Sequence, residues 1–130
     1  MAIADSHGLP IAVGVTSASP NESTLVEDTL DQRHIRALPE RMIGDRAYDS
    51  DRLDERLKEK GVELIAPNCR RRKRTRDRRP LRRYIRRWKI ERLFAWLKNF
   101  RRIGSRWERH AVNFLGMVQP GCTLILLRHL

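Results

Sequence analysis

The amino-acid sequence predicts a single mixed α/β domain. Short, partly β-branched runs alternate with amphipathic helical stretches in the order β-β-α-β-α-β-α-α. The 130 residues suffice for one core and not comfortably for two. A hydrophobic fraction of 40% can fill that core, which argues against wholesale disorder.

The elements follow in order. Met1–Ala4 and Leu9–Thr16 flank Asp5-Ser6-His7-Gly8 and predict a β-hairpin over residues 1–16, with Gly8 free to take a positive φ at the turn. No polar lead-in precedes the first strand, so the chain starts inside an element, which is unusual for an intact domain. Ser19-Pro20-Asn21-Glu22 has the form of a capping box with Ser19 as the cap. It predicts a helix to about Arg33 that buries Leu25, Val26 and Leu30. Arg41–Gly44 is a short strand candidate ending at Asp45. Ser50 caps the next helix, which turns Leu53 and Leu57 inward and stops at Gly61. Val62–Ala66 supplies another strand, halted by Pro67. Residues 68–79 form a basic loop with no apolar period. Pro80 then opens a long helix over residues 80–100, with apolar positions Leu81, Ile85, Trp88, Leu93, Trp96, Leu97 and Phe100. Ala111–Leu127 is the closing helix, with a kink expected at Pro120-Gly121.

Charge narrows the choice of partner. The net charge of +12 and a pI near 11.1 point to a polyanion, most often nucleic acid. Residues 70–109 hold 19 Lys or Arg against only Asp77, Glu91 and Glu108, a local net of +16, so the rest of the chain sums to −4. Cys69 and Cys122 have no zinc-like spacing and suggest no disulfide framework, which suits a reducing interior. The start of the chain lacks a secretory-signal pattern. The 17-residue apolar run 111–127 contains Asn113, Gln119, Pro120 and Gly121, too short and interrupted for a membrane span.

Tyr84, Arg87, Glu91 and Lys98 have the spacing Y-x2-R-x3-E-x6-K. At 100° per residue they share one helical stripe about 60° wide. One carboxylate among two cations and a phenol can serve metal ions and DNA phosphates side by side. Asp45, at a strand end, can converge with Glu91 to ligate a hard divalent cation through oxygen. The local alternative is that Asp45 only caps a loop and Glu91 only pairs with Arg87, and charge statistics alone favour it. Asp49 is read as a helix cap rather than a ligand. Trp88 and Trp96 are read as core packing rather than base-stacking rings, and the four histidines as turn or surface residues.

Gly44-Asp45-Arg46-Ala47-Tyr48-Asp49-Ser50, followed across a basic loop by the Tyr84, Arg87, Glu91 and Lys98 spacing, resembles the C-terminal catalytic half of a DDE transposase. More narrowly, it resembles prokaryotic insertion-sequence transposases that carry the Y-R-E-K signature. The likeness runs the whole chain, because Asp5-Ser6-His7-Gly8-Leu9-Pro10 resembles the family's hairpin and the apolar tail its closing helix. The resemblance implies an RNase H-like fold that cuts and rejoins double-stranded DNA at insertion-sequence ends and target sites, using Mg²⁺ or Mn²⁺. Asp45 would be the second acid of the triad and Glu91 the third. Tyr84, Arg87 and Lys98 would grip the transposon end.

The family's first catalytic Asp belongs to a central strand upstream of the hairpin. Asp5 falls in the turn after that strand and is no substitute. The expectation is therefore an N-terminally truncated catalytic domain, with the central first strand missing and no cleavage by the chain alone. A homodimer in the intact enzyme and a cytoplasmic, nucleoid-associated location are further implications. The basic loop, with Arg70, Arg71, Arg72, Lys73 and Arg74, is expected to contact phosphates together with Arg83 and Arg86. Arg82, Lys89, Arg92, Arg101 and Arg102 would extend that surface. The rival reading is a non-catalytic, Arg-rich nucleic-acid-binding protein, or a regulator of an intact transposase.

Overall fold

Local turn chemistry sets the first elements in the computed structural model, which describes residues 1–17, 19–69 and 85–129. Strands β1 (Ala2–Ala4) and β2 (Pro10–Val13) pair antiparallel, with Ala2 opposite Val13 and Ile3 opposite Ala12. Gly8 adopts φ +82° at the turn. Asp5 Oδ1 accepts hydrogen bonds from the backbone of His7 and Leu9, each at 2.8 Å, so this carboxylate is occupied in closing the hairpin.

The next helix starts later than the capping box suggests. Asn21, not Ser19, is the cap, and its side chain accepts from Ser23 N at 3.1 Å. A 3₁₀ turn, Glu22–Thr24, leads into α1 (Val26–Asp31), which buries Val26, Thr29 and Leu30. Pro20 has no amide proton to bond, and Asn21 offers the shorter reach to the first free amide of the turn.

A βαβ unit follows. Strand β3 (Arg41–Ile43) and strand β4 (Glu63–Ile65) run parallel, joined by α2 (Asp51–Glu59). Ser50 Oγ accepts from Leu53 N at 3.4 Å, and Gly61 ends the unit's helix at φ +76°. Asp49 is not the cap. Its Oδ2 instead accepts from Cys69 N at 2.6 Å, which ties the segment leaving β4 to the turn after β3.

The strands form two separate two-stranded pieces, β1 with β2 and β3 with β4. Gly14 N donates to Met1 O at 3.0 Å and Asp5 N to Leu9 O at 2.8 Å, so alternation turns the backbone groups of Ala2 and Ala4 away from β2. Gly44 N donates to Ile65 O at 3.0 Å, and the same alternation turns those of Arg41 and Ile43 away from β4. Among the described residues no strand pairs with either edge.

Helices cover both faces of these pieces. On one side Val13, with Ala2 and Ala4, packs on Leu93 and Leu97 of α3 (Trp88–Lys98) and on Val118, Cys122 and Ile125 of α5 (Ala111–Leu127). On the other, Met1, Ile3 and Met42 pack on Val26, Leu30, Leu53 and Leu57. The period of two along β1 feeds both cores, which is the layered α/β arrangement the element order predicts.

Two details of the C-terminal half differ from expectation, the start of the described long helix and the burial of its first apolar residues. The described part of the long helix begins at Trp88, after a 3₁₀ turn at residues 85–87, while residues 80–84 and the loop from Arg70 onward lie outside the described residues. Ile85 is 74% exposed and Trp88 50% exposed, so neither joins the core. Ile85 lies in the 3₁₀ turn and Trp88 opens α3, both ahead of Leu93 and Leu97, which are the α3 residues the core encloses. Phe100 leaves the helical path at φ −83°, ψ 114° and starts a short α4 (Arg101–Gly104). Helix α5 includes Pro120, and Val118 and Cys122 on either side of it are both buried. Gly121 lets α4 pack closely there, since a Cβ would lie 2.7 Å from Ile103 Cδ1 and the isoleucine side chain would have to shift. Among the described residues no helix is long and apolar enough to cross a membrane.

Leu93→Ala should lower unfolding free energy by about 2–5 kcal/mol in urea denaturation, because Leu93 is fully enclosed between the hairpin and α5. Burial pushes the Cys122 thiol up to about 11, so its thiolate is scarce near neutral pH, whereas Cys69 is exposed. Iodoacetamide at roughly pH 8 should label Cys69 in the native protein and Cys122 only after unfolding, as read by peptide mass spectrometry.

Candidate functional site

Asp45 follows β3 after Gly44, the residue over which the Tyr48 ring closes. A Cβ on Gly44 would meet that ring at 2.9 Å, so glycine permits the tight return of the chain. Asp45 caps the 3₁₀ turn Arg46–Tyr48, with Oδ1 accepting from Ala47 N at 2.8 Å. Burial, then the nearby carboxylate of Glu22, raises the Tyr48 phenol well above its ordinary range, and Asp45 adds to the shift. Tyr48 is therefore neutral near neutral pH, with its hydroxyl hydrogen-bonded to the Glu22 carboxylate.

Helix α3 brings the second acid. Glu91 lies in its first turn and Arg87 at its N-cap. Arg87 Nη2 donates to Glu91 Oε1 at 3.1 Å, and Arg87 Nη1 lies 3.7 Å from Asp45 Oδ2. One guanidinium therefore spans the two carboxylates that the sequence singles out. Side-chain exposures are 39% for Arg87, 40% for Asp45 and 64% for Glu91. Pairs this exposed contribute about 0.2–1 kcal/mol each, so the cluster is open to exchange and does little to hold the fold together.

The position of α3 comes from its other faces. Leu93 and Leu97 anchor it in the core. Lys89 Nζ donates to the carbonyl of Ser6, and Arg92 Nη2 to that of His7, which fastens the helix to the hairpin turn. Gly8 leaves room for this contact, since a Cβ there would lie 2.9 Å from Arg92 Nη2. The Arg92 guanidinium is also stacked between Trp88 and Trp96, at 5.0 and 4.9 Å from the ring centroids. Trp96 in turn meets the His129 ring at 4.8 Å. Lys89 and Arg92, expected on a phosphate-binding surface, are thus turned to the hairpin instead. Carbonyls exposed by a turn are strong acceptors, and periodicity along a helix carries no sign of them.

Arg86 is exposed in the 3₁₀ turn, and Lys98 is exposed in the last turn of α3, two turns beyond Glu91. Tyr84, Arg83, Arg70, Arg71, Arg72, Lys73 and Arg74 lie outside the described residues. The tether from Asp49 to Cys69 places the residue before that basic run beside the Asp45 turn. Both local roles weighed from the sequence occur here, the Asp45 cap and the Arg87–Glu91 pair, and they occur together with convergence of the two acids on one cation.

Among the described residues no group of three His, Cys, Asp or Glu side chains is arranged to hold a metal ion. The donor set is two carboxylates meeting at one positive charge. That fits the open mode in which a divalent cation takes one or two protein carboxylates and completes its shell with water and substrate phosphate.

The sequence matches the family described as transposase DDE domain over residues 1–123. It is 32% identical over 131 residues to a protein assigned as the transposase for insertion sequence element IS402 of Burkholderia cepacia, covering 95% of this chain and 59% of that protein. The chain thus spans less than two thirds of that relative's length. No solved structure matches it.

Arg92→Ala removes the turn anchor and the stacked cation together. It should cost about 1–3 kcal/mol in urea denaturation and speed amide exchange at the hairpin turn more than at α2.

Proposed function

The chain belongs to the transposase DDE-domain family, and from that premise we propose that it carries part of a catalytic site for metal-dependent cleavage and transfer of DNA strands at insertion-sequence ends. The observation that carries this reading is the meeting of Asp45 and Glu91, far apart in sequence, on the guanidinium of Arg87. A structural loop cap and a surface ion pair have no need to share a cation.

In the proposed reaction, water attacks a phosphodiester at the transposon end and the 3′-oxygen leaves as a hydroxyl. That hydroxyl then attacks a phosphodiester of target DNA in line, and the target's own 3′-oxygen departs. Asp45 and Glu91 are the residues that would hold Mg²⁺ or Mn²⁺. When bound, such an ion activates the attacking oxygen and stabilises the leaving one. Arg87, Lys98 and Tyr84 grip the strand near the scissile phosphate. Arg83, Arg86 and the run Arg70, Arg71, Arg72, Lys73 and Arg74 hold the flanking backbone, each neutralised phosphate releasing counterions.

The fold proposed for the complete domain is RNase H-like. Its support is the pair of open edges, at Ala2 and Ala4 of β1 and at Arg41 and Ile43 of β3, which one further strand would join into a single sheet. That strand would bring the first catalytic Asp. The complete enzyme acts as a homodimer on paired DNA ends, in the cytoplasm and close to the nucleoid.

In a protein that carries a further strand on those edges, Glu91→Gln should reduce metal-dependent cleavage by more than about a hundredfold, since even groups behind a metal ligand cost 10–100-fold when lost. Gel-shift affinity for insertion-end DNA should stay similar or become tighter. Unchanged cleavage by the variant would favour an Arg-rich binding protein. The 130-residue chain should bind duplex DNA with an affinity that falls on the order of a thousandfold between about 50 and 200 mM salt, if six or more phosphates are contacted.

A further inference from the structure

Arg87 stands where a cation shared by Asp45 and Glu91 would stand. Its two terminal nitrogens divide the acids, Nη1 at 3.7 Å from Asp45 Oδ2 and Nη2 at 3.1 Å from Glu91 Oε1. We propose that Arg87 is the resident counter-cation of this pair, holding both carboxylates in the ion-free protein and giving them up when a divalent cation enters. The inference rests on the reading of Asp45 and Glu91 as metal ligands.

Four features make exchange feasible. Asp45 and Glu91 both approach one guanidinium, and the positive charge between them offsets the mutual repulsion of the two carboxylates. The pairs are exposed, and each is worth only about a fivefold factor or less, which a doubly charged ion readily exceeds. Arg87 sits at the N-cap of α3, ahead of the buried Leu93 and Leu97, so its side chain can swing without disturbing the core. Asp45 keeps its orientation after release, because Oδ1 remains bonded to Ala47 N at 2.8 Å. The freed guanidinium then presents a planar fork of donors on an exposed face, matched to a DNA phosphate. Metal entry and the DNA-gripping state of Arg87 are thereby coupled: divalent cation frees the arginine, and a phosphate that captures the arginine opens the carboxylates.

The test is Mn²⁺ affinity of the purified 130-residue chain, read by the electron paramagnetic resonance signal of free Mn²⁺ in a titration. Arg87→Gln should tighten Mn²⁺ binding by about tenfold, the combined factor of two exposed pairs lost as competitors. Arg87→Lys, which keeps the charge without the fork, should tighten it by roughly threefold. Arg46→Gln removes the same charge from the exposed residue beside Asp45 and should leave affinity within about twofold. Glu91→Gln should weaken binding in both the wild-type and the Arg87→Gln backgrounds. Unchanged or weaker affinity in Arg87→Gln, with Glu91→Gln still weakening it, would overturn the counter-cation role and leave the metal site standing. An equal gain in Arg46→Gln would reduce the effect to general charge and also overturn it. Mn²⁺ binding that ignores Glu91→Gln, or none in any variant, would remove the metal site itself and the counter-cation with it.

Discussion

The seating of α3 against the hairpin governs where the chemistry of this protein falls. Burial of Leu93 and Leu97 against Val13 and the α5 residues fixes how closely the helix approaches, but apolar contact is non-directional and leaves its rotation loosely set. Rotation is set by Lys89 and Arg92, which reach the carbonyls of Ser6 and His7 on one side of the helix. With that side committed, Glu91 is carried round toward the end of β3, where Asp45 waits. Gly8 and Asp5, far from either acid in sequence, therefore help determine whether the two carboxylates meet.

The cations of the basic region do not act as one uniform surface. Arg92 is packed between two indoles and Lys89 is spent on the hairpin turn, so both serve the fold. Arg87 is engaged by the two acids. Arg86, Lys98, Arg101 and Arg102 remain exposed. A stripe that looks homogeneous by charge is thus divided by what each side chain finds within reach.

The two β pieces pose a complementary constraint. Met1 and Ile3 of one piece and Met42 of the other pack on the same helical core, yet their strands share no hydrogen bonds. Shared apolar packing holds them near one another, while the backbone groups at the open edges of β1 and β3 have no strand to pair with among the described residues. Unpaired strand edges readily accept another strand.

Much of the fold was legible in the sequence because it follows from short-range chemistry. The hairpin turn at Gly8, the Ser50 cap, the stop at Gly61 and the span of Ala111–Leu127 each depend on residues within one or two turns of the feature itself. Local signals also erred where two candidates competed, as when Asn21 took the capping role from Ser19. The identities of Asp45, Arg87 and Glu91 as the residues of interest came from sequence spacing and family likeness. That one guanidinium spans both acids, that Trp88 shields Arg92 instead of filling the core, and that Lys89 and Arg92 clasp the hairpin were decided only by the tertiary structure. Each of these contacts joins segments whose separation along the chain carries no periodic signal, so only the packed positions of α3, the hairpin and the β3 turn could bring them within bonding distance.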